Sequence, residues 1–361
     1  MEESATAAQY AQACSKDGAL PMSETELITP RERVLRAVRR QPADRLPTQI
    51  TFTPLAAAQA AHWLGVEPAA LPGVLGNHIE GVGINDIVRV EGDTSFDIWG
   101  IGWDNTINDG FQVNVNPLAD LGDLQSYTFP DPDDPALYRG LQARIASNEQ
   151  GRAMVGSMGF CLWEKYYLLR GFQSAMEDLV REPALVEDLL EHILAVQLAV
   201  ARNLASLGID AGHTGDDFGS QRGLLFSPVL WRKLLKPRYE RLWSVFKSAG
   251  LPVIHHSCGD IRDILDDLID IGLDVLNPVQ THAMPPEELA SRWGDRLSFY
   301  GGICTQRVLP HATPDEVRAF IECLRATLGR RGGWIMGPSH DATSDMPREN
   351  FFAMLEAMGV R

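Results

Sequence analysis

The chain has 361 residues, of which 48 are acidic and 32 are basic, so its formal net charge is -16 at pH 7. A field of this sign repels phosphate backbones and anionic lipid headgroups, which argues against nucleic acid and membrane surfaces as partners. Hydrophobic residues make up 45% of the chain, enough to bury a sizeable core.

Cysteine usage and the start of the chain favour a cytoplasmic protein. There are five cysteines, which are widely spaced, odd in number and without a CxxC pair. This is unlike the disulfide frameworks of small secreted proteins, so a reducing compartment is expected. The first residues, MEESATAAQY, contain no apolar segment of the secretory type. No apolar run approaches the ~20 residues that span a bilayer.

The predicted elements begin after a small, polar and flexible segment, residues 1–25. A helix follows in TPRERVLRAVRRQP, with Thr29 as its N-cap and Pro30 in its first position. Beyond it, short β-type runs alternate with amphipathic helices, and an irregular stretch at 93–105 predicts a hairpin or inserted loops. Seven runs are strand candidates and a weaker eighth lies around 84–91; the seven are 46–54, 153–160, 208–217, 251–260, 273–280, 297–306 and 333–340.

This alternation predicts the fold class. Strands that alternate with helices of about 10 to 20 residues favour parallel βαβ units. Eight such units over this length predict an α/β fold, a (β/α)₈ TIM-type barrel that forms one domain over residues 26–361 with an N-terminal helical extension. The alternative is a doubly wound open sheet, but no GxGxxG opens a helix after the first strand.

Polar residues recur where the predicted strands end. In a barrel these ends converge on one face, where barrel enzymes keep their active sites, so the pattern indicates an enzyme. Gln280 and Gln306 are predicted to supply hydrogen bonds to a substrate. The full set is Asp216, Asp217, His256, Cys258, Gln280, Cys304, Gln306, Ser339 and His340.

The segment IHHSCGD, residues 254–260, predicts a metal site. Side chains in a strand alternate with period two, so His256 and Cys258 point the same way. An imidazole nitrogen and a thiolate sulfur suit zinc, which needs a third protein ligand from elsewhere. His340 is the leading choice, Cys304 the second and Asp217 the third. The alternative is a buried thiol beside a hydrogen-bonded core histidine.

Other candidates carry more than one interpretation each. Asp216 and Asp217 could form an acid/base pair, clamp a substrate or cap the next helix. Adjacent carboxylates point apart in extended backbone, so at most one of them is catalytic. Trp99, in DIWGIGW, and Tyr167, in EKYYLLRG, are predicted to contact substrate. The alternative for both is packing in the core.

The motifs also carry a resemblance that runs in order from about residue 29 to 358. TPRERVLRAVRRQPADRLP, DIWGIGW, GDDFGSQRGLLFSPVLWRKLLKPRY, HHSCGDIRDILDDLIDIGLDVLNPVQ, GGICTQRVLPHATPDEV and GPSHDATSDMPRENFFAM resemble the uroporphyrinogen decarboxylase superfamily. The resemblance implies a (β/α)₈ barrel, in agreement with the strand count.

Two chemistries are implied by this superfamily. True uroporphyrinogen decarboxylases use no metal and hold their polycarboxylate substrate with arginines from an RQAGRY-like stretch. The corresponding QITFTPLAAA, residues 49–58, contains no arginine. The other branch is similar to zinc-dependent methyltransferases, in which an HxC pair and a late cysteine bind zinc. His256 and Cys258 match that pair, and His340 stands at the position of the late cysteine.

The resemblance therefore implies a zinc-dependent methyl or other alkyl transferase. Its methyl carrier would be a methyl-corrinoid or tetrahydrofolate, its substrate a small molecule, and a corrinoid protein a further partner. The alternative is a metal-independent decarboxylase or lyase that acts on a non-porphyrin substrate, with Asp216, Asp217 and His340 in proton chemistry. A ligand-binding module without turnover is a third interpretation. The sequence leaves the oligomeric state open, a homodimer included.

Overall fold

The structure, a computed structural model, describes residues 28–360, so the segment predicted to be flexible lies outside it. Over the described residues the strands are β1 (Ile79–Gly83), β2 (Ile87–Glu91), β3 (Thr94–Asp97), β4 (Gly102–Asp104), β5 (Val113–Val115), β6 (Ala153–Phe160), β7 (Ala211–Gly215), β8 (Gly219–Ser220), β9 (Gly223–Leu224), β10 (Val253–His256), β11 (Val275–Val279), β12 (Ser298–Gly301) and β13 (Trp334–Ile335).

The helices surround these strands. In the same part of the chain they are α1 (Pro30–Val38), α2 (Pro54–Leu64), α3 (Leu71–Val74), α4 (Leu141–Ala146), α5 (Trp163–Arg170), α6 (Phe172–Arg181), α7 (Pro183–Ala205), α8 (Pro228–Leu234), α9 (Lys236–Ser248), α10 (Leu265–Asp270), α11 (Pro286–Arg292), α12 (Val308–His311), α13 (Pro314–Thr327) and α14 (Arg348–Ala357). None of the helices between residues 28 and 360 has the length and apolar character needed to cross a bilayer.

The central sheet is parallel and curled. Its order is β1-β6-β7-β10-β11-β12-β13, and every neighbouring pair is parallel. The predicted first strand closes the ring: Thr48 bridges Met336 beyond β13, and its carbonyl accepts the N–H of His78 just before β1. The TIM-type (β/α)₈ architecture predicted from the alternation of elements is therefore confirmed.

One strand of the barrel was predicted in the wrong place. The weak candidate at 84–91 corresponds to β2, which pairs with β3 in a separate antiparallel sheet of order β2-β3-β4-β5. The barrel strand is β1, whose sequence IEGVG contains two glycines. Glycine weakens a strand signal because it has no side chain to pack. The hairpin expected at 93–105 is present as β3 and β4.

The N-terminal helix closes the bottom of the barrel. Val34, Ala37 and Val38 of α1 pack against the apolar side chains that face inward from the strands, a cluster hereafter called the plug: Ile79, Ala153, Val155, Ala211, Ile254, Val275 and Ile335. A larger hydrophobic core lies between the sheet and the outer helices. The polar candidate residues predicted from the sequence lie at the opposite end of the barrel, where the strands end.

Candidate active site

The three predicted metal ligands lie together at the carboxyl ends of the strands. His256 ends β10, Cys258 follows two residues later, and His340 lies beyond β13. One ligand atom from each residue can be chosen so that all three lie within 4.8 Å of one another. The rings of His256 and His340 meet edge to face, with centroids 5.5 Å apart. We call these three side chains the triad.

The spacing of the triad fits a zinc ion. The Nε2 of His256 lies 3.5 Å from the Sγ of Cys258. Zinc–nitrogen and zinc–sulfur bonds of about 2.0 and 2.3 Å at a tetrahedral angle place the two donors about 3.5 Å apart. A site with three protein ligands also leaves a fourth position for a substrate, as catalytic zinc sites do.

Neighbouring groups orient the triad. The Oδ1 of Asn277 on β11 lies 3.0 Å from the Nδ1 of His256. If Nδ1 donates its hydrogen to this oxygen, Nε2 is left with its lone pair free for a metal. The Oδ1 of Asp217 accepts the backbone N–H of Cys258 at 2.7 Å and lies 3.8 Å from the Nε2 of His256. Asp217 therefore fixes the backbone that presents the thiol.

Burial shifts the pKa values of His256 and Cys258 in opposite directions. Burial raises the pKa of the Cys258 thiol, and the carboxylates of Asp217 and Glu164 raise it further. Burial also lowers the pKa of His256, against the opposing attraction of Asp217. A neutral imidazole is the form that binds a metal, whereas the thiol must give up its proton to do so.

Of the two alternative third ligands, only Asp217 lies beside the triad. Cys304 is buried, with 4% of its surface exposed, and is a free thiol outside the group of potential ligands. Asp217 faces His256, as given above, and its side chain is 35% exposed. The geometry thus favours His340 as the third ligand and leaves Asp217 able to contact a substrate.

Asp216 is placed differently from its neighbour. It is fully buried, and its two carboxylate oxygens accept the backbone N–H groups of four consecutive residues, 161–164, and the hydroxyl of Tyr239. These N–H groups lie at the start of α5, where a helix leaves donors unpaired. Asp216 thus caps α5, which precedes it in the chain, and not the next helix as one of the predicted roles had it, and the geometry gives Asp216 no route to a substrate.

Glu164 is a candidate that sequence reasoning missed. It lies in the first turn of α5 with 3% of its surface exposed, and its Oε1 accepts the hydroxyl of Tyr167 at 2.6 Å. Burial raises the pKa of Glu164 to about 9, with the charges of Asp216 and Asp217 adding to the shift. This shift favours the protonated form of Glu164. The motif EKYYLLRG drew attention only to its tyrosines.

The predicted substrate-binding residues are dispersed. The Oε1 of Gln280 accepts the N–H of Gly259 and an Nε2 hydrogen of Gln221, both at 2.9 Å, so it holds the loop that follows Cys258. Gln306 is exposed. Trp99 is buried in the core, where its carbonyl accepts the hydroxyl of Tyr127. Tyr167 reaches the site indirectly, through its hydrogen bond to Glu164.

A family model described as uroporphyrinogen decarboxylase (URO-D) matches residues 83–359. The chain belongs to this family. Within it, a uroporphyrinogen decarboxylase of Thermus thermophilus is 26% identical over 341 residues, which cover 90% of this chain and 96% of that relative. The methylcobamide:CoM methyltransferase MtaA of Methanosarcina barkeri is 25% identical over 186 residues, or 51% of this chain and 52% of that relative.

A solved structure supports the fold of this uroporphyrinogen decarboxylase family member. A methyltransferase from Methanosarcina mazei superimposes with a TM-score of 0.67 at 18% identity, covering 92% of this chain and 98% of that one. The sequence relatives are enzymes of two classes, a decarboxylase and a methyltransferase. The chain is therefore an enzyme of a family that contains both.

Proposed function

We propose that this enzyme is a zinc-dependent methyl or alkyl transferase with His256, Cys258 and His340 as the metal ligands. The observation that carries the proposal is the triad itself. Two nitrogens and one sulfur from two separate strand ends lie within 4.8 Å of one another. The match to a methylcobamide:CoM methyltransferase supports methyl transfer as the reaction.

The residues around the triad have defined tasks in this proposal. A bound zinc ion lowers the pKa of a thiol or polarises an oxygen in its open position. Asn277 orients His256, and Asp217 holds the backbone of Cys258. Glu164, whose raised pKa favours its protonated form, can hold a proton close to the reacting groups. The methyl carrier is a corrinoid or a folate, and a corrinoid protein is the macromolecular partner we propose.

The test is metal content and methyl transfer in the same preparations. Elemental analysis should find about one zinc per chain in the wild type and almost none after Cys258→Ala or His340→Ala. Cys304→Ala is the matched control, because it removes a free buried thiol that lies outside the triad. Only wild type and the control should demethylate methylcobalamin in the presence of 2-mercaptoethanol.

A second candidate is a metal-independent decarboxylase or lyase. It is favoured by the relative from Thermus thermophilus, which is similar over 90% of the chain. The region at residues 49–58 has no arginine, so the substrate would not be a porphyrinogen. Two results together would decide for this candidate. The wild-type protein would hold no zinc even after a zinc-supplemented preparation, and it would release carbon dioxide from a carboxylate substrate.

A further inference from the structure

The outer edge of strand β2 is open. β2 is the first strand of the antiparallel sheet β2-β3-β4-β5, and within residues 28–360 it pairs with β3 alone. All of its residues are exposed, and three of them are aliphatic: Ile87 is 48% exposed, and Val88 and Val90 are each 62% exposed. An exposed edge with apolar side chains is a template for another strand. We call this side of β2 the open edge.

The turn between β2 and β3 determines which backbone groups face the open edge. Gly92 and Asp93 form a two-residue turn, and Gly92 has the positive φ, 56°, that the first central position of a type II′ turn requires. Glu91 and Thr94 are the pair next to the turn, so their hydrogen bonds lie within the hairpin. Neighbouring residues of an antiparallel strand alternate in direction. The N–H and C=O of Val90 therefore point away from β3, toward the open edge.

A second copy of β2 fits the open edge in an antiparallel register centred on Val90. In this register the two Val90 residues exchange both of their outward hydrogen bonds across a two-fold axis. Arg89 then lies opposite Glu91 of the second copy, and Glu91 lies opposite Arg89 of the second copy. Side chains that are directly opposite have Cβ atoms about 5 Å apart, and opposite charges at that distance attract.

The charges on β2 select this register over its neighbour. A two-fold axis at Arg89 would place the two Arg89 side chains opposite each other, and like charges in that arrangement are destabilising. The pairing of β2 with β3 is irregular between Ile87 and Arg89, so the regular part of the open edge is residues 89–91, which the register centred on Val90 uses. Within one chain Arg89 and Glu91 already form an exposed ion pair of 3.2 Å. The second copy would extend this pair into a group of alternating charges.

We propose that the protein forms a two-fold dimer through the open edge, with β2 paired antiparallel to β2 of a second copy about Val90. The two antiparallel sheets then join into one continuous sheet. Each sheet is fixed to its own barrel, because Trp103 on β4 stacks on Phe160 at the end of β6, with ring centroids 5.8 Å apart. The proposal does not rest on the proposed function, since no residue of the triad takes part in it.

Sedimentation velocity of the full chain between about 1 and about 300 µM measures the dimer. The wild type should be dimeric at the upper end of this range. Val90→Asp should weaken the dimer at least about tenfold, because it places two carboxylates face to face on the two-fold axis. Val180→Asp is the matched control: Val180 lies on α6 and is 83% exposed, the change in charge is the same, and the dimer should be retained.

Exchanging the two charges of β2 tests the register. Arg89→Glu and Glu91→Arg should each weaken the dimer at least about tenfold, because each places like charges opposite each other. The double variant, which carries both exchanges, should bind within about threefold of the wild type, because the attraction returns with its signs reversed. The net charge of the chain is -16, so a general charge effect would weaken the dimer in Arg89→Glu but strengthen it in Glu91→Arg.

Three results would overturn the proposal. The first is a wild type that stays monomeric up to about 300 µM, which would mean that the open edge does not bind a second copy. The second is a dimer that Val90→Asp leaves unchanged, since such a dimer uses another surface. The third is a dimer that Glu91→Arg strengthens or that the double variant fails to restore. Circular dichroism should match the wild type in every variant, because each change replaces an exposed side chain.

Discussion

Asn277 and His256 are joined by a contact of 3.0 Å between the Oδ1 of the amide and the Nδ1 of the imidazole. This contact links two neighbouring strands, β11 and β10, directly at the triad. Partners of this kind set the tautomer and the orientation of a metal-binding histidine, and losing one costs roughly 10–100-fold in metal affinity or activity.

Asn277→Leu should therefore lower zinc affinity by about 10–100-fold while leaving all three ligands in place. Competition with a chromophoric chelator measures the affinity. Asn277→Asp is the matched control, since it keeps an oxygen acceptor at the same position, and it should retain most of the binding. Equal affinities in Asn277→Leu and the wild type would show that this contact does not orient the ligand.

The adjacent carboxylates should differ in their effects on stability. Asp216→Ala leaves four buried backbone N–H groups and the hydroxyl of Tyr239 without their acceptor, so we expect a loss of about 3–5 kcal/mol in the free energy of unfolding. Asp217→Ala removes one acceptor at a half-exposed position and should cost about 1 kcal/mol.

Urea unfolding followed by circular dichroism measures both variants against the wild type. The expected order would be contradicted if Asp217→Ala proved as destabilising as Asp216→Ala. The less destabilising variant, Asp217→Ala, should still lose activity. It should remain folded but impair methyl transfer, because Asp217 holds the backbone of Cys258 beside the triad.

These residues show how far the sequence predicts the site. The period of two in a strand is enough to put His256 and Cys258 on one face, and convergence of strand ends is enough to bring in His340. The sequence does not separate Asp216 from Asp217. Their roles depend on which face of β7 meets α5, and that is decided by packing distant in sequence. Glu164 escaped notice for the same reason, since its neighbours come from other strands.

The strands of the barrel were also predicted only in part from the sequence. Six strands with β-type composition were placed correctly, because their buried runs stand out between helical patterns, and the predicted run at 46–54 forms isolated bridges at Thr48 and Phe52. β1 was misplaced because Gly81 and Gly83 remove the side chains that would mark it as a strand.

Zinc binding should release a proton from Cys258. Burial and nearby carboxylates raise the pKa of this thiol, so it is protonated in the metal-free protein, whereas a metal takes the thiolate. The affinity should then rise about tenfold for each unit of pH between about 7 and 8.5. Burial lowers the pKa of His256, so this ligand is already neutral there and adds no further dependence.

Titration calorimetry in buffers of different ionisation enthalpy counts the proton directly. About one proton released per zinc is the expected result near pH 8. A pH-independent affinity with no proton released would mean that Cys258 is already a thiolate in the metal-free protein, or that it does not bind the metal.

His78 should make the fold sensitive to mild acid at the opposite end of the barrel. Its imidazole is 1% exposed and packs where the Thr48 segment meets β1, with its Nδ1 accepting the N–H of Thr48 at 3.2 Å. Burial lowers the pKa of His78 to about 4, and the positive charges of Arg45 and Arg33 add to the shift. The ordinary value in an unfolded chain is about 6.5.

The sign of the effect follows from that difference. Between about pH 6.5 and 4 the unfolded chain binds a proton at His78 that the folded protein does not, so stability falls as the pH is lowered through this window. The pKa of His78 differs by about 2.5 units between the unfolded and the folded state. Lowering the pH through this whole window should therefore reduce the free energy of unfolding by about 3 kcal/mol. Above pH 7 His78 is neutral in both the folded and the unfolded state, so its full contribution to the free energy of unfolding is present there.

His78→Asn removes the titrating group while keeping an acceptor, so the variant should lose less stability than the wild type between pH 7 and about 4.5. His62→Asn, at an exposed position on α2, is the control and should follow the wild type. Urea midpoints measured across this range test the difference. Parallel curves for the wild type and His78→Asn would show that acid acts through other groups, such as His213, whose pKa burial also lowers to about 4.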